Sequence, residues 1–398
     1  MSDIYDSIGN AFVGTATPYY AEQGHFYLES NNVKDGQINH NSEIFINDEF
    51  YEKQKDKWLH TGDMVMVQSG HVGHAAVIPE ELDNTAAHAL IMFRNPKEEI
   101  EPYFLNYEYQ TDKAKKKIEN ITTGNTIKHI LASDMQEFVV DVPNYEEQKV
   151  IASYFRNIDH LITLHQRKCD EVKSLKKYML QKMFPQNEQK VPEIRFEGFT
   201  EAWEQRKLGD IYGSIGNAFV GTATPYYAEH GHFYLESNNV KDGQINHNAE
   251  IFINDEFYEK QKDKWLHTGD MVMVQSGHVG HAAVIPEELD NTAAHALIMF
   301  RNPKEEIEPY FLNYEYQTDK AKKQIENITT GNTIKHILAS DMQEFVVDIP
   351  KYEEQKAIAG YFCKLDHLIT LHQRKCDKYS SIKKGMMSDL LTGKIRLV

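Results

Sequence analysis

Residues 4–149 of this 398-residue chain recur almost letter for letter as residues 211–356, at an offset of 207 positions. A repeat of this length is a whole domain and not a solenoid unit of about 20–50 residues. Because the copies are nearly identical, we expect them to share one fold and one ligand, and two copies suggest a ligand with two equivalent halves. The copies differ only at Asp6/Gly213, Gln23/His230, Ser42/Ala249, Lys117/Gln324, Val142/Ile349 and Asn144/Lys351.

The negative charge of the chain is concentrated in the two copies. Acidic residues outnumber basic ones 24 to 12 in the first copy and 23 to 12 in the second, whereas the remainder holds 13 acidic and 19 basic residues. These counts give net charges of −12, −11 and +6, which add up to the −17 of the whole chain. Such domains attract phosphate only weakly, so if the ligand is DNA a partner protein must supply much of the electrostatic attraction.

Several classes of protein and site are disfavoured. No apolar run reaches the roughly 18 residues that a membrane helix needs, and the start MSDIYDSIGN lacks the features of a secretory signal, so we expect a cytoplasmic protein without membrane contact. Cys169, Cys363 and Cys376 lie outside both copies without CxxC spacing, and we interpret them as small apolar residues on helices. The histidines show no HExxH spacing, and we predict no metal site.

Each copy starts with short β-rich runs separated by turn residues and continues with helical patterns. Two helices are predicted, from about Pro102 to Ile121 and near Ser133 to Glu137 with Ser133 as a candidate N-cap, and the apolar run Phe138–Val142 closes the domain at Pro143. Strands first and helices late indicate an α+β domain. The predicted strand runs of the first copy are His25–Ser30, Glu43–Asn47, Met64–Gln68, His74–Pro79 and Ala89–Phe93.

A long helical pattern follows each copy. Apolar residues recur at three- and four-residue steps from Ile151 to Met179, with no glycine or proline before Pro185, and a second such pattern runs from Ile358 to Leu391. Sustained heptad-like spacing over about 34 residues predicts a helix of about 50 Å that packs against another helix. The fold class expected is therefore α+β, with two near-identical domains separated by two long antiparallel coiled-coil helices around a pseudo-twofold axis. That axis would place the domains at opposite ends in inverted orientation.

The strings that follow the copies, and the lead-in to the second copy, carry a family resemblance. EEQKVIASYFRNIDHLITLHQRKCDEVKSLKKYMLQKMFPQ at Glu146–Gln186 and IRFEGFTEAWEQRKLGDI at Ile194–Ile211 resemble the central helical region of specificity subunits of type I restriction-modification systems. EEQKAIAGYFCKLDHLITLHQRKCD and the final SDLLTGKIRLV resemble the distal helical region of the same family. The resemblance extends over essentially the whole chain.

The resemblance implies a layout of target-recognition domain, helix, target-recognition domain, helix, in which each domain reads one half of a split double-stranded DNA site. It also implies partners: two modification subunits that bind S-adenosylmethionine and methylate adenine N6, and restriction subunits that translocate and cut DNA. No cofactor is expected on this chain. We place target-recognition domain 1 at 1–149, the central spacer helix at 150–185, a linker at 186–208, target-recognition domain 2 at 209–356, and the distal spacer helix with the C-terminal tail at 357–398.

One departure from the family pattern concerns the aromatic lead-in. The segment Ile194–Leu208 precedes the second copy, but no equivalent precedes the first. Either the first domain is less well closed than the second, or this chain begins at an unusual point.

No catalytic motif stands out, so the chain is expected to be non-catalytic. Gly9 and Gly14 have the spacing of a phosphate loop, but Thr15 and Ala16 follow where Lys and Ser/Thr are required. The Asn-Pro-Pro-aromatic motif of amino-methyltransferases is missing, and Asn95-Pro96-Lys97 is a poor substitute. A self-contained methyltransferase or nuclease is thereby disfavoured, while the acidic balance also permits a DNA mimic or a scaffold.

Three polar segments of each copy could read DNA, since base readout needs donors and acceptors on loops able to enter a groove. Loop A is Gln68–His74, loop B is Thr123–His129 and loop C is Asn31–Gly36. Each has a structural alternative: a tight hairpin for loop A, a helix-linking turn for loop B and an ordinary Asn/Asp/Gly turn for loop C. The lysine run Lys113–Lys117 is interpreted as a solvated helix face.

The candidate DNA-binding residues are Asn31, Asn32, Lys34, Gln68, Ser69, His71, His74, Asn125, Thr126, Lys128 and His129, and in the second copy Asn238, Asn239, Lys241, Gln275, Ser276, His278, His281, Asn332, Thr333, Lys335 and His336. Because the copies are nearly identical and expected to be inverted, the DNA site is predicted to be an interrupted palindrome with the same half-site on both strands.

Overall fold

The computed structural model describes residues 1–396 except Glu98, Asn125, Glu188 and Asn332. The chain divides into two compact units, each built around one copy of the repeat. Unit 1 comprises Met1–Gln166 and Arg374–Val398, and unit 2 comprises Arg167–Gln373. Each long helix therefore contributes one part to unit 1 and the other part to unit 2.

In its described residues the first copy has ten short strands and four short α-helices, and the first long helix follows it. The strands are β1 Tyr5–Asn10, β2 Tyr20–Ala21, β3 His25–Leu28, β4 Val33–Lys34, β5 Gln37–Ile38, β6 Phe45–Ile46, β7 Met64–Val67, β8 Ala75–Val77, β9 Ala86–Ala87 and β10 Leu90–Pro96. The helices are α1 Asp48–Lys53, α2 Pro102–Glu108, α3 Asp112–Ile121, α4 Ala132–Gln136 and the long α5 Tyr145–Lys182.

In the described residues that follow, the remaining elements repeat this order, with one additional strand and one additional α-helix before the second copy and a further strand near its end. The strands are β11 Glu204–Lys207, β12 Tyr212–Asn217, β13 Tyr227–Ala228, β14 His232–Leu235, β15 Val240–Lys241, β16 Gln244–Ile245, β17 Phe252–Ile253, β18 Met271–Val274, β19 Ala282–Val284, β20 Ala293–Ala294, β21 Leu297–Pro303 and β22 Val346–Ile349. The helices are α6 Leu208–Ile211, α7 Asp255–Lys260, α8 Pro309–Glu315, α9 Asp319–Ile328, α10 Ala339–Gln343 and the long α11 Tyr352–Leu390.

The central sheet of the first copy has the order β1-β10-β7-β8 and is antiparallel throughout. Side chains alternate between its faces, so Met64 and Met66 enter a core beneath the helices while Val65 and Val67 enter a core on the other side. A second sheet has the order β2-β6-β3-β9, and β4 and β5 form a separate hairpin. The central sheet of the second copy repeats this arrangement as β12-β21-β18-β19.

Two predictions about the helices of the copy are corrected. The stretch Pro102–Ile121 forms two helices, because the Thr111 hydroxyl accepts a hydrogen bond from the Ala114 N–H at 3.1 Å and starts α3 as its N-cap. Ser133 is not the N-cap of α4. That position belongs to Leu131, whose N–H donates to the Asp134 carboxylate at 3.2 Å.

The closing apolar run differs between the two copies. In unit 2 it forms β22, which pairs antiparallel with β11. In unit 1 the equivalent residues 139–142 form no strand with any described residue, so the closing run is a strand in the second copy and irregular in the first. The strand that pairs with β22 is β11, which comes from the segment directly before the second copy.

The long helices pack together within each unit. In unit 1 the Lys383 Nζ lies 2.7 Å from an Asp159 carboxylate oxygen, and the rings of Tyr379 and His165 stack with centroids 5.7 Å apart. Residue numbers fall along α11 as they rise along α5, so the two segments are antiparallel. In unit 2 the Lys176 Nζ lies 2.7 Å from an Asp366 oxygen, which is the same arrangement with the two helices exchanged.

Cys169 and Cys376 are buried at the helix pairs, where each thiol lies near a backbone carbonyl of the facing helix. Within the described part of the chain, no group of histidine, cysteine and acidic residues could hold a metal ion. None of the helices described there is both long and apolar enough to cross a membrane.

A buried carboxyl beneath the closing run makes the stability of unit 1 depend on pH. Burial raises the pKa of Glu108 to about 7, and one of its oxygens has no hydrogen-bond partner. Since the folded-state pKa exceeds the unfolded value, the contribution to stability is complete below pH 4.5 and is lost as pH rises through about 7.

Glu108→Gln is therefore expected to stabilise unit 1 by about 3 kcal/mol more at pH 8 than at pH 4. Urea denaturation of the two proteins at both pH values measures the difference, with the exposed Glu22→Gln as the matched control. An equal change at both pH values would contradict a buried ionising carboxyl.

Candidate nucleic-acid interface

Loops A and B of the first copy lie side by side. Loop A leaves the end of β7, and its Gly70 N–H donates to the carbonyl of Lys128 in loop B at 3.1 Å. Directly after loop B, the Ile130 N–H donates to the Gln68 carbonyl at 2.9 Å, so the backbone of one loop holds the other in register. Gly70 adopts φ 80, which favours glycine at this turn.

Loop C joins the same surface through the tip of the β4–β5 hairpin. Asp35 and Gly36 have φ values of 52 and 83, as a two-residue type I′ turn requires. The Asp35 N–H donates to His74 Nδ1 of loop A at 3.3 Å. The three segments selected from the sequence therefore meet in one place, although up to about 90 residues of chain separate them.

The side chain of His74 can act as a hydrogen-bond donor through Nε2. Burial lowers the pKa of its imidazole, which favours the neutral ring. Because Nδ1 accepts from the Asp35 N–H, the ring proton resides on Nε2. The side chain is 32% exposed, and a neutral imidazole protonated at Nε2 can donate to purine N7 or guanine O6 in the major groove.

A cavity of about 300 Å³ lies between loop A and helix α3. His71, His74 and Lys128 line it, together with Lys115 and Glu119 of α3. Lys115 is exposed, as the predicted solvated helix face requires, and it also lines this cavity because α3 lies next to loop A. Lys115 and Lys128 place two positive charges beside loop A of an otherwise acidic domain.

Some of the candidate DNA-binding residues are buried, contrary to the prediction from the sequence. Asn32 and Asn239 are each 1% exposed and their side chains are engaged inside the turn, so they are corrected from DNA-contact candidates to turn-stabilising residues. Asn125 and Asn332 lie outside the described residues. The other candidates remain at least partly exposed in both copies: Asn31, Lys34, Gln68, Ser69, His71, His74, Thr126, Lys128, His129, Asn238, Lys241, Gln275, Ser276, His278, His281, Thr333, Lys335 and His336.

Two exposed apolar residues, one inside loop B and one just after it, are not among the candidates predicted from the sequence. Ile127 and Leu131 are each 58% exposed, and their counterparts Ile334 and Leu338 are 57% and 58% exposed. Apolar side chains on a groove-facing surface can contact thymine methyl groups. Ile127 could have been selected from the sequence, because it is an apolar residue within the otherwise polar loop B.

The second copy reproduces this geometry. The Gly277 N–H donates to the Lys335 carbonyl at 3.1 Å, and the Asp242 N–H donates to His281 Nδ1 at 3.3 Å. Burial lowers the pKa of His281 as it does that of His74. The chain therefore carries two matched polar surfaces, each supported by the central sheet of its own unit.

The chain thus combines a duplicated α+β domain, a polar loop surface on each copy and a long helix after each copy. The family model described as the type I restriction modification DNA specificity domain matches residues 26–174 and 200–378. The chain belongs to this family and is a specificity subunit, the non-catalytic component of a type I restriction-modification enzyme.

Two relatives come from Methanocaldococcus jannaschii. The chain is 25% identical over 284 residues to the type I restriction enzyme MjaVIII specificity subunit, covering 69% of this chain and 66% of the relative. It is 26% identical over 341 residues to the MjaX specificity subunit, covering 82% and 76%. The chain thus spans about two thirds of the first relative and three quarters of the second.

Solved structures share the fold. The S subunit of a type I system from M. genitalium matches with a TM-score of 0.64 at 13% identity, covering 98% of this chain and 94% of that one. A structure described in terms of complex assembly and conformational transition of the type I system matches with a TM-score of 0.52 at 15% identity, covering 98% and 95%. At these identities the likeness concerns the fold alone.

Proposed function

We propose that each copy reads one half of a bipartite DNA site through loops A, B and C, and that the two half-sites are identical. The observation that supports this proposal is the convergence of the three loops on one surface, with the same hydrogen bonds in both copies. Donors and acceptors on exposed loops suit base-edge recognition in the major groove. The two long helices set the number of base pairs between the half-sites.

The proposed site is an interrupted palindrome. Mapping N6-methyladenine across the genome of cells that carry this chain with its modification subunits is expected to reveal one motif whose two halves are reverse complements. None of the six differences between the copies falls in loops A, B or C, so the two surfaces present the same side chains to DNA. Methylated sites with unrelated halves would contradict the proposal.

We also propose that the chain works in the cytoplasm and positions two modification subunits, with restriction subunits joining the complex. In this division of labour the partner subunits bind S-adenosylmethionine and flip the target adenine out of the duplex. The acidic balance of both copies supports a need for partners, because phosphate attraction by the domains themselves is weak. Methyl transfer by the purified chain alone would contradict this division.

A further inference from the structure

The exposed apolar side chains of each copy are concentrated near its polar loops. Among the described residues of the second copy, the exposed large apolar side chains are Val220, Tyr227, Ile334 and Leu338. Val220 is 61% exposed, and Ile334 and Leu338 are 57% and 58% exposed, whereas Tyr227 is only 38% exposed. Apolar residues scattered singly over a surface are ordinary, but a group of them at one place indicates a binding site.

The loops that carry the most exposed of these side chains leave the central sheet at one end. In the first copy Leu90, at the start of β10, pairs with Val67, which is the last residue of β7. The carbonyl of the same Leu90 accepts a hydrogen bond from the N–H of Ala11, directly after β1, at 2.9 Å. Loop A follows β7, and Val13 lies two residues beyond Ala11. The exposed Val13 therefore lies in a loop at the sheet end where loop A begins, and loop B is bonded to loop A.

The backbone of loop B fixes the position of Ile127. Thr123 and His129 each donate an N–H to the carbonyl of the other at 2.8 Å, which closes loop B around Ile127. Gly124 has φ 100, and a Cβ atom there would lie 2.2 Å from the Ile127 carbonyl oxygen, so only glycine fits. Because the loop is closed before any ligand arrives, a contact by the exposed Ile127 side chain costs little conformational entropy.

Polar groups flank Ile127 on both sides. Thr126 and Lys128 are exposed, and the Lys128 carbonyl accepts the 3.1 Å hydrogen bond from Gly70 of loop A. Base pairs show a similar combination in the major groove, where donors and acceptors lie beside the C5 methyl group of thymine. That methyl is the apolar group by which a T·A pair differs from the other pairs at this edge.

We propose that Ile127 and its counterpart Ile334 each recognise one thymine of their half-site through its C5 methyl group. This inference rests on the proposed function and adds the identity of one base pair that each copy reads. An apolar contact does not depend on attraction of phosphate, which is weak for these acidic domains. Because loop B is identical in the two copies, the two thymines occupy equivalent positions in the half-sites.

The pattern of exposed and buried residues around loop B favours base edges over a partner protein. Protein interfaces bury a continuous apolar centre inside a polar rim. Here the exposed Ile127 stands between polar residues, and the buried Ile130 separates it along the chain from the exposed Leu131. Single apolar side chains among donors match the isolated methyl groups of a DNA groove.

Deoxyuridine provides the test, because it lacks the methyl group of thymine and keeps its hydrogen-bonding groups. The full-length chain is assembled with its modification subunits, and the thymines of both half-sites are replaced in symmetric pairs, one position at a time. Dissociation constants are measured at one salt concentration. At one position the replacement is expected to weaken binding about 4-fold for each half-site, and so about 16-fold for the pair.

The double variant Ile127→Ala/Ile334→Ala is expected to bind the thymine duplex more weakly and to lose nothing further with deoxyuridine at that position. Leu164→Ala/Leu371→Ala is the matched control, because these two leucines are 36% and 37% exposed on the long helices and are also related by the offset of 207. The control should keep the full loss of affinity with deoxyuridine.

The outcomes separate this inference from the proposed function. If scrambled half-sites bind as tightly as the mapped site, both fail. If scrambled half-sites bind weakly but deoxyuridine has no effect at any position, or its effect persists in Ile127→Ala/Ile334→Ala, the thymine contact alone is overturned. The scan with the unaltered chain decides this even where a variant folds poorly. Loss of assembly with the modification subunits in the isoleucine variant would place Ile127 in a protein interface and also overturn the inference.

Discussion

Arg195→Ala is expected to destabilise unit 2 by about 3–5 kcal/mol, whereas Arg396→Ala in unit 1 is expected to cost less than about 1 kcal/mol. The Arg195 guanidinium makes two charge-assisted hydrogen bonds to Glu354, whose side chain is 1% exposed. Removing the arginine leaves a buried carboxylate without its cation, and that desolvation cost accounts for most of the expected effect.

Arg396 provides a control within the same molecule. It approaches the equivalent carboxylate, Glu147, at 3.5 Å through one nitrogen, and its side chain is 66% exposed. Solvent screens such a contact and side-chain entropy opposes it. Urea denaturation, combined with hydrogen exchange followed separately in each unit, measures how much stability each arginine variant loses. Comparable losses of stability in Arg195→Ala and Arg396→Ala would show that burial of Glu354 is not the cause.

Changing His71 in loop A is expected to impair recognition of one half-site without affecting the other. His71 is exposed and lines the loop A cavity, so its substitution by alanine should cost about 1–3 kcal/mol at the contacted base pair. That cost corresponds to roughly 5- to 150-fold weaker binding. If each copy reads its own half-site as proposed, combining it with His278→Ala in the second copy should add the two free energies.

The measurement is DNA binding by the chain assembled with its modification subunits, using duplexes with base changes in one half-site at a time. His60→Ala is the matched control, because His60 precedes β7 at the end opposite to loop A. The complex that carries His71→Ala should bind duplexes with an altered and an unaltered half-site equally, when the altered half-site is the one read by the first copy. A uniform loss of affinity on every sequence would mean that His71 contacts phosphate and does not read bases.

Most of the fold could be predicted from two patterns. The repeat defined the domains, and the three- and four-residue apolar spacing after each copy predicted α5 and α11 and their packing against each other. The errors came from contacts distant in sequence. Whether residues 138–142 form a strand depends on β11, so two nearly identical sequences adopt different structures there.

Residue types in the sequence indicated the loops of the candidate site, but which side chains of those loops are exposed depends on the folded structure. Polar residues combined with glycine pointed to loops A, B and C, and the structure brings these loops together. Asn32 has the side chain that suits adenine best, yet its amide is engaged inside a turn. Conversely, Lys115 belongs to a run that looks like ordinary helix surface, and only its placement against loop A distinguishes it.

Because the two copies are nearly identical, a strand of one copy can pair with the equivalent partner strand of the other copy during folding. Asn10 of β1 pairs with Ile91 of β10, and the identical partner Ile298 of β21 lies farther along the chain. Closing the longer loop costs only about 1 kcal/mol more, so entropy alone discriminates weakly against an interlocked product. Synthesis on the ribosome separates the copies in time, since the first can complete its sheet before the second emerges. Refolding of the full-length chain from urea removes this order of synthesis. Chains in which β1 pairs with β21 of the other copy should therefore accumulate under those conditions.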